Sequence, residues 1–414
     1  MQFPVILTYR YACDVRVIRL LRQRGLGNSA TQLQRKLTEQ HSEQWLTCTI
    51  QYLNDCKYFR DASNVGLIAC PKFQDPPEYI PVPTYKWFLT AYAQDILPRM
   101  EEIKSGITSI FGNIIKMDST KKIVKKLAGH SAGTASWATN VANEKGQILM
   151  SVLTASEGVG LAPMAAGLMK RYSDAKEPPP RVLYVDRDCC GGGAVKVKDL
   201  FSKWPGLIIS LDIWHFMRRL ALGCTTESHP LYGVFLGRLS QCIFQWSKED
   251  LELLKHAKCR QLKQSGLSNP SDDYVIRHIT KKELTTHCRR KTRGVEEMTQ
   301  LIYDLLEAFQ GDQGRDTLGV PVLDADRIWD IWESQKKHIN CIQDPEGIQL
   351  YVKTGVVSKG GVDLPVYRCA RGSTSLESFH LHYNRFIPGT FIFIHCRLNT
   401  YCIEILSICL PRRF

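Results

Sequence analysis

Asn113-Ile-Ile-Lys-Met117 followed by Asp118, and Arg181-Val-Leu-Tyr-Val185 followed by Asp186, are two short runs that each lead directly into an aspartate. Short runs that are nearly all apolar are typical of strands buried on both faces in the centre of a sheet. Acidic residues at the ends of such strands project from the edge of the sheet, where ligands commonly bind. The two runs therefore predict two central strands, each carrying a carboxylate at its end.

The segments around these runs predict the remaining elements between Gly112 and His215. Gly146 in the turn Asn143-Glu-Lys-Gly146 supplies the positive φ that a hairpin turn favours. The last strand leads into Asp212 and His215. The predicted order is βββαβαβ. The strand before Asp118 is followed by a hairpin (Ala135 to Thr154) and a helix (Leu161 to Tyr172). The strand before Asp186 is followed by a helix (Val195 to Lys203) and a last strand (Gly206 to Leu211).

The bulk composition predicts a soluble, basic protein of more than one domain. The chain has 414 residues, 44% of them hydrophobic, and a formal net charge of +13 at pH 7. A positive excess of this size suits a polyanionic partner, although a basic protein without one has the same composition. Neither a membrane-spanning run nor a signal peptide is predicted, because the apolar stretches are too short or are interrupted by charges.

The fifteen cysteines show no regular pattern and include no CxxC pair. Without a signal peptide, we expect most thiols to be reduced. No zinc ribbon or zinc finger is predicted, although isolated ligands could still assemble in space. Cys224 and His229, which lie close in sequence to His215, leave an incidental zinc site open.

The N-terminal residues 1–69 predict short basic helices. The first is expected over Cys13 to Arg24, the second near Ala30 to Glu39, and the third after Ser42. Such a trio is typical of a helix-turn-helix DNA-binding region, and equally of a small bundle with a solvated basic face. The arginines that would contact DNA are Arg16, Arg19, Arg22 and Arg24.

Beyond this region the chain is divided by changes in composition. Residues 70–84 hold five prolines and predict a linker. Residues 85–111 predict a helical lead-in, 216–345 a helical insertion, and 346–390 a hairpin and a helix; 391–414 are an atypical tail. In the insertion, a basic cluster could follow a DNA backbone or form a solvated loop: Arg289, Arg290, Lys291 and Arg293.

Three acids are candidates for a metal site that performs phosphoryl transfer. Such chemistry requires carboxylates close enough to hold two Mg²⁺ ions, and Asp118, Asp186 and Glu377 are the best candidates. Each also has a structural explanation. Asp118 could cap a turn. Asp188 competes with Asp186. Thr374-x-x-Glu377 is itself a capping-box pattern.

Two histidines accompany these acids. Asp212 and His215, at i and i+3 of a helix start, face the same way and could orient a nucleophile, bind metal or position a strand. A helix-capping aspartate with a packed histidine is the structural alternative. His380 lies one helical turn after Glu377, where it could support the site or simply occupy the surface.

These motifs, taken in order, resemble DDE transposases of the Mutator-like, KDZ and Zisupton group. The matching segments are Lys116-Met-Asp118-Ser-Thr120, Tyr184-Val-Asp186, Trp204-Pro205, Asp212-Ile-Trp-His215 and Ser375-Leu-Glu377-Ser-Phe-His380, within about residues 110 to 390. The resemblance implies an α/β fold: a ribonuclease H-like core with a large helical insertion, preceded by a small helical N-terminal region. It also implies that Asp118, Asp186 and Glu377 are the metal ligands, and it matches Asp212 and His215 to the family's motif after the fifth strand.

The function implied by the resemblance is Mg²⁺- or Mn²⁺-dependent cleavage and transfer of DNA strands. DNA is then the partner, nuclear localisation follows, and a homodimer remains open; no small-molecule substrate is expected. In the family the helix carrying the final glutamate continues, whereas Pro388-Gly389 ends it early here. The alternative is therefore a non-catalytic, transposase-derived protein that binds DNA or other partners.

Overall fold

The computed structural model describes residues 4–23, 30–121, 137–156, 158 and 160–386. These residues form two compact units. The first unit contains the described residues up to Ile107 and those from His380 onward. The second unit contains Thr108–Lys121 and the described residues between Ala135 and Phe379. No helix in the described ranges is long and apolar enough to cross a membrane. The predicted tail, 391–414, and Pro388-Gly389 lie outside these ranges.

The first unit begins with a hairpin that the sequence did not predict. Its elements are the strands β1 (Val5–Leu7) and β2 (Ala12–Asp14), a short helix α1 (Val15–Arg19) continued by a 3-10 turn (Leu20–Gln23), and the helices α2 (Ala30–Asn64), α3 (Tyr85–Ile96) and α4 (Met100–Thr108). Asp14 ends β2 and caps α1, since its carboxylate accepts a hydrogen bond from the Arg16 N–H at 2.7 Å. The helix expected from Cys13 therefore starts only at Val15.

The second and third predicted helices are one continuous helix, so the expected turn between them was wrong. α2 runs from Ala30 to Asn64 without a break. No proline or glycine interrupts the segment between Glu39 and Ser42, and the Ser42 hydroxyl donates to the Glu39 carbonyl at 2.9 Å instead of capping a new helix. Two of the three predicted helices are therefore one helix, and the DNA-binding role of this region remains a prediction.

The proline-rich segment 70–84 contains no helix or strand, as its prolines predict. It nevertheless lies along α2. The Trp45 indole donates to the Pro77 carbonyl at 3.0 Å, and the Tyr52 hydroxyl donates to the Gln74 carbonyl at 2.8 Å. This segment is therefore held against a helix of its own unit.

The second unit is built on a five-stranded mixed sheet, so the fold is α/β. The strands are β3 (Ile114–Thr120), β4 (Trp137–Asn143), β5 (Ile148–Thr154), β6 (Val182–Val185) and β7 (Ile208–Leu211), in the spatial order β5-β4-β3-β6-β7. β4 is antiparallel to both β3 and β5, whereas β6 is parallel to β3 and β7. Gly146 has φ 77° in the β4–β5 turn, which confirms the predicted role of that glycine.

One helix follows each of the last three strands along the chain: α5 (Ala162–Asp174) after β5, α6 (Gly191–Leu200) after β6 and α7 (Ile213–Ala221) after β7. Alternation along the strands directs side chains to opposite faces of the sheet. Ile115 and Leu183 belong to the large core that α5 to α7 also line. Ile114 and Tyr184 face the other way, into a smaller core. Asp118 shares the Ile114 side of β3, because it lies four residues further along the strand.

The insertion and the last segment complete the second unit. The insertion contains the helices α8 (Tyr232–Ile243), α9 (Lys248–Gln264), α10 (Asp272–His278), α11 (Lys281–His287), α12 (Val295–Gln310) and α13 (Ala325–Gln335), the short strands β8 (Phe244–Trp246) and β9 (Arg290–Thr292), and a 3-10 helix (Lys336–Ile342). The hairpin β10 (Tyr351–Lys359) and β11 (Val362–Cys369) follows, and then α14 (Thr374–Phe386). Met298 and Ile302 of α12 are fully buried in the large core, which joins the insertion to the sheet.

Candidate metal centre

Asp118, near the end of β3, and Asp186, directly after β6, lie at corresponding positions of neighbouring parallel strands. Met117 pairs in parallel register with Val185, so Asp118 and Asp186 are the next residues on neighbouring strands. Side chains at matching positions of parallel strands point to the same face of the sheet. The Asp118 side chain is 4% exposed and accepts a hydrogen bond from the Ser119 N–H at 2.7 Å. Asp186 is half-buried.

The environment of Asp118 is unfavourable for its negative charge. Burial raises the pKa of Asp118 to about 7, and the charges of Asp186 and Glu377 act in the same direction, against a smaller opposing effect of His215. Three acids therefore interact electrostatically at the end of the sheet. A carboxylate whose pKa is raised by other carboxylates is typical of functional sites, where a cation relieves the repulsion.

Asp212 organises the start of α7 beside these acids. It is 1% exposed, and its Oδ1 accepts a hydrogen bond from the Trp214 N–H at 2.6 Å, which caps the helix. His215, one turn later, has its Nδ1 3.8 Å from Asp212 Oδ2. The structural role predicted for Asp212 is thus present, and it also fixes the position of His215.

Asp212 also anchors the beginning of α14. The Ser373 N–H donates to Asp212 Oδ2, and Gly372 precedes it in the left-handed conformation, with φ 79°. This contact sets the first turn of α14, which carries Glu377, against the first turn of α7. As a result, His215 Nε2 lies 3.7 Å from Glu377 Oε1.

Asp118, His215 and Glu377 converge in one candidate metal site, which we call the acid–histidine group. One ligand atom from each residue lies within 4.8 Å of the others. Asp186 is not a member by this distance, although its charge raises the pKa of Asp118. Two of the three predicted ligands, Asp118 and Glu377, are therefore brought together with the predicted neighbour His215.

The protonation of His215 and Asp212 fits an ion pair beside this group. Burial opposes both charges, but the contact with Asp212 and the charges of Asp118 and Asp186 raise the pKa of His215 above its ordinary value. Burial is likewise outweighed at Asp212, whose pKa is lowered by the neighbouring His215 and by the hydrogen bond from Ser373. An imidazolium at this position offsets part of the negative charge of the surrounding carboxylates.

Other residues that the sequence singled out lie elsewhere. Asp188 is exposed, with φ 57°, so Asp186 is the acid that acts on Asp118. His380 is buried in α14 and is not part of the group. Cys224 and His229, for which the sequence left an incidental zinc site open, belong to none of the metal-binding groups found among the described residues.

A cavity of about 530 Å³ lies next to Asp212, within the second unit. Lys116 lines it from β3, where its side chain is only 3% exposed, and burial lowers its pKa. Arg371 is also buried, with its guanidinium 2.6 Å from Asp344. The cationic side chains that line the cavity outnumber the acidic ones, Glu144 and Asp212; they are Lys116, Lys145, Arg290, Arg368 and Arg371.

The predicted basic cluster in the insertion is neither an open loop nor a row of unpartnered charges. β9 pairs with β8, and Arg289 forms two hydrogen bonds to Asp250, at 2.8 and 2.9 Å. The Arg290 guanidinium lies 4.3 Å from the centroid of the Phe244 ring, and Arg293 is paired with Glu297 at 2.5 Å. Lys291 is exposed. The solvated-loop alternative was wrong, and the arginines of the cluster hold the insertion together.

The N-terminal arginines are likewise engaged where they are described. Arg16 is paired with Asp14 at 2.6 Å, and Arg19 lies 3.6 Å from Asp95. Arg16 remains exposed at the surface. The side chain of Arg22 and the whole of Arg24 lie outside the described residues. The DNA contacts predicted for these residues remain predictions.

A second candidate metal site was not predicted from the sequence. Cys189, Cys190, His338 and Cys341 each offer a ligand atom within 4.8 Å of the others, and we call them the thiolate–histidine group. Two local signals are present in the sequence, the vicinal pair Cys189-Cys190 and the spacing His338-x-x-Cys341. Neither half resembles a CxxC motif, and nothing in the sequence connects the two halves.

Comparison with known families adds information about the first unit only. Residues 1–97 match a family described as a domain of unknown function, DUF6729. The match extends from the β1–β2 hairpin through α3, across the proline-rich segment, and ends before the sheet. No curated protein matches the chain.

Proposed function

We propose that the chain is a metal-dependent phosphodiester-cleaving enzyme of the DDE transposase type, with DNA as its substrate. The observation that carries the proposal is that Asp118 and Glu377 converge in one group at the end of the sheet. The whole helical insertion separates these two residues in sequence. The strand order supports a ribonuclease H-like core, because an antiparallel set β3-β4-β5 is extended by β6 and β7, which run parallel to β3. These strands are formed by the segments for which the sequence predicted the order βββαβαβ.

The residues at the acid–histidine group fit a hard divalent cation. Carboxylate oxygens are the ligands that Mg²⁺ and Mn²⁺ prefer. The pKa of Asp118 is raised first by burial and then by the charges of Asp186 and Glu377, and a cation would neutralise those charges. We propose that Asp118, Asp186 and Glu377 hold the metal. When bound, two such ions activate a nucleophile and stabilise the oxygen that leaves phosphorus.

His215 has a separate part in this proposal. Its imidazole lies between Asp212 and Glu377, at 3.8 and 3.7 Å. Because Asp212 favours the protonated form, His215 limits the repulsion among the acids and keeps Glu377 near Asp118. Asp212 positions both partners through its hydrogen bonds from Trp214 and Ser373.

The charge of the chain supports a polyanionic substrate. The net charge is +13, and the charged side chains that line the cavity beside Asp212 are mainly cationic. Phosphate groups of a nucleic acid are the polyanion that such surfaces most commonly bind. DNA bound along the cavity would have its backbone next to the metal ligands, and nuclear localisation follows from this substrate.

A nicking assay tests the proposal. Supercoiled plasmid and linear duplex DNA are incubated with purified protein and Mg²⁺ or Mn²⁺, and the Asp118→Asn variant is compared with wild type. Asp188→Asn is the matched control, because Asp188 is exposed and two positions from Asp186. We expect cleavage by wild type and the control, but not by Asp118→Asn. Equal cleavage by all three proteins would reject the site.

A non-catalytic DNA-binding protein is the second candidate. The observation in its favour is that Asp186 is not among the residues whose ligand atoms lie within 4.8 Å of one another. If folded wild-type protein binds DNA but cleaves it with neither metal, this second function replaces the first.

A further inference from the structure

The thiolate–histidine group is assembled by two segments of the second unit. Cys189 and Cys190 lie between β6 and α6, in the loop that begins with Asp186. His338 and Cys341 lie on the 3-10 helix Lys336–Ile342. Residues three apart on a 3-10 helix face the same side, since this helix has three residues per turn. The helix therefore presents one imidazole and one thiol together toward the cysteine pair.

The distances within the group match a tetrahedral metal site. His338 Nδ1 lies 3.2 Å from Cys189 Sγ, 3.4 Å from Cys190 Sγ and 4.0 Å from Cys341 Sγ. Bond lengths of about 2.3 Å to sulfur and about 2.1 Å to nitrogen place the two ligand atoms roughly 3.6 Å apart in a tetrahedral zinc site. The three observed separations lie on both sides of that value.

The backbone of the cysteine loop is shaped to bring both thiols to this place. Asp188 and Gly191 flank the pair, and both have φ 57°, in the left-handed region. A Cβ on Gly193 would lie 2.7 to 2.9 Å from the side chain and Cα of Asp188, so the loop folds tightly back on the start of α6. Cys189 is 6% exposed, while the other three ligands are half-buried.

We propose that the thiolate–histidine group is a structural zinc site. Three thiolates and one imidazole are among the ligand sets that structural zinc takes, and four protein ligands leave no open position for catalysis. Soft thiolate ligands disfavour Mg²⁺, so this group and the acid–histidine group select different metals. Every cysteine of the described residues is a free thiol, so no disulfide among them competes for the ligands.

A zinc ion at this position would join the Asp186 loop to the insertion. The 3-10 helix contributes Ile339 and Ile342 to the large core, next to β7 and α7. On the other side, Arg219 of α7 donates to the Asp186 carbonyl. The segment that follows β6 would therefore be held on one side by the zinc ion and on the other by the hydrogen bond from Arg219. The zinc site itself stands on the four ligands and does not depend on the proposed cleavage activity.

Metal analysis of the full chain tests this site. The protein is expressed with added zinc, purified with a reductant and without chelator, and its zinc is measured by mass spectrometry against protein concentration. We expect one zinc per chain in wild type and in Cys259→Ser, a control at a half-buried cysteine on α9. Cys341→Ser and His338→Ala should lose most of the zinc.

A rescue variant separates ligand loss from misfolding. His338→Cys converts the set to four cysteines, another common structural zinc set, and should retain the metal where His338→Ala does not. Cobalt substitution should give the intense visible bands of tetrahedral thiolate coordination in wild type and in His338→Cys. A zinc-free wild type in which the thiols of Cys189, Cys190 and Cys341 are reduced would overturn the proposal. So would equal zinc in wild type, Cys341→Ser and His338→Ala.

Discussion

Asp186, whose charge acts on Asp118 of the acid–histidine group, lies three residues before Cys189 of the thiolate–histidine group, yet the two groups are built in opposite ways. The first has carboxylates and a histidine, with Glu377 41% exposed. The second has three sulfurs and a nitrogen, and four ligands are the number that a tetrahedral zinc site takes. Hard ligands with an open side suit an exchangeable catalytic cation, whereas soft ligands that close the coordination shell suit a permanent structural one.

The two groups also differ in how they affect folding. Asp118 lies among other acids, and burial and repulsion raise its pKa, so without metal its charge destabilises the folded chain. The thiolate–histidine group joins a loop to the insertion, so its metal should stabilise the fold. Variants in the first group should therefore affect catalysis, and variants in the second should affect stability.

The largest expected effect is on catalysis. Glu377→Gln removes a charge from the proposed metal site while keeping the size of the side chain. We expect DNA cleavage to fall roughly a thousandfold, which corresponds to about 4 kcal/mol of transition-state stabilisation. Zinc content and the free energy of unfolding should stay close to wild type. Rates are measured under single-turnover conditions, and a fall of less than about tenfold would remove Glu377 from the site.

The next effect is on stability. Cys341→Ser should lower the free energy of unfolding by at least about 3 kcal/mol, because zinc binding contributes directly to folding. Urea denaturation of zinc-loaded wild type and variant measures the difference, with Cys259→Ser as the control. If the variant were as stable as the control, the thiolate–histidine group would have no structural role.

Asp212 tests how the first group is positioned. Asp212→Ala removes the cap of α7 and leaves the buried Ser373 N–H without its acceptor, so we expect a loss of about 2 kcal/mol. Cleavage should fall as well, because Glu377 is no longer anchored beside His215. Asp212→Asn keeps an acceptor oxygen and should retain more stability than Asp212→Ala. Equal stability for the two variants would contradict this role.

The smallest expected effect is on stability, at an acid whose ionised form is stabilised by its surroundings, in contrast to that of Asp118. Glu283 lies 2.9 Å from Lys258 and 3.1 Å from Lys359. Although burial opposes its charge, these contacts and a hydrogen bond from Thr280 lower the pKa of Glu283 to about 2. Because the folded pKa lies below the unfolded value, its contribution is present above about pH 4.5 and disappears as the pH falls toward about 2.

Glu283→Gln should therefore destabilise the chain by about 1 to 2 kcal/mol at neutral pH, after allowance for solvent screening. The difference between wild type and variant should shrink as the pH is lowered. Denaturation curves at several pH values measure it. A difference that stays constant with pH would show that the ion pairs do not contribute.

The sheet and part of the site could be predicted from the sequence because they depend on local patterns. Apolar runs that end in Asp118 and Asp186 define the two central strands, and the β4–β5 turn follows from Gly146. Glu377 was predicted as the third acid of a phosphoryl-transfer site, and the resemblance to transposases matches it to the same role. No local pattern indicated that His215 would approach Glu377, because that contact depends on Asp212 accepting a hydrogen bond from a backbone distant in sequence.

The failures have a common cause in contacts that the sequence does not display. The turn expected near Ser42 was wrong because that hydroxyl bonds back to its own helix. The solvated-loop alternative for the basic cluster was wrong because Asp250 and Glu297 bind two of its arginines, while the DNA contact of this cluster remains a prediction. The thiolate–histidine group was missed because its two halves come from separate elements and neither is a recognised motif alone.

Direct measurement of Mn²⁺ binding tests the central claim, that the acids at the end of the sheet form a metal site. Electron paramagnetic resonance reports free Mn²⁺ in titrations of zinc-loaded wild type, Asp118→Asn and Asp188→Asn. We expect wild type and Asp188→Asn to bind Mn²⁺, and Asp118→Asn to bind it at least about tenfold more weakly. Identical Mn²⁺ binding by wild type and Asp118→Asn, or no binding by folded wild type, would contradict this claim.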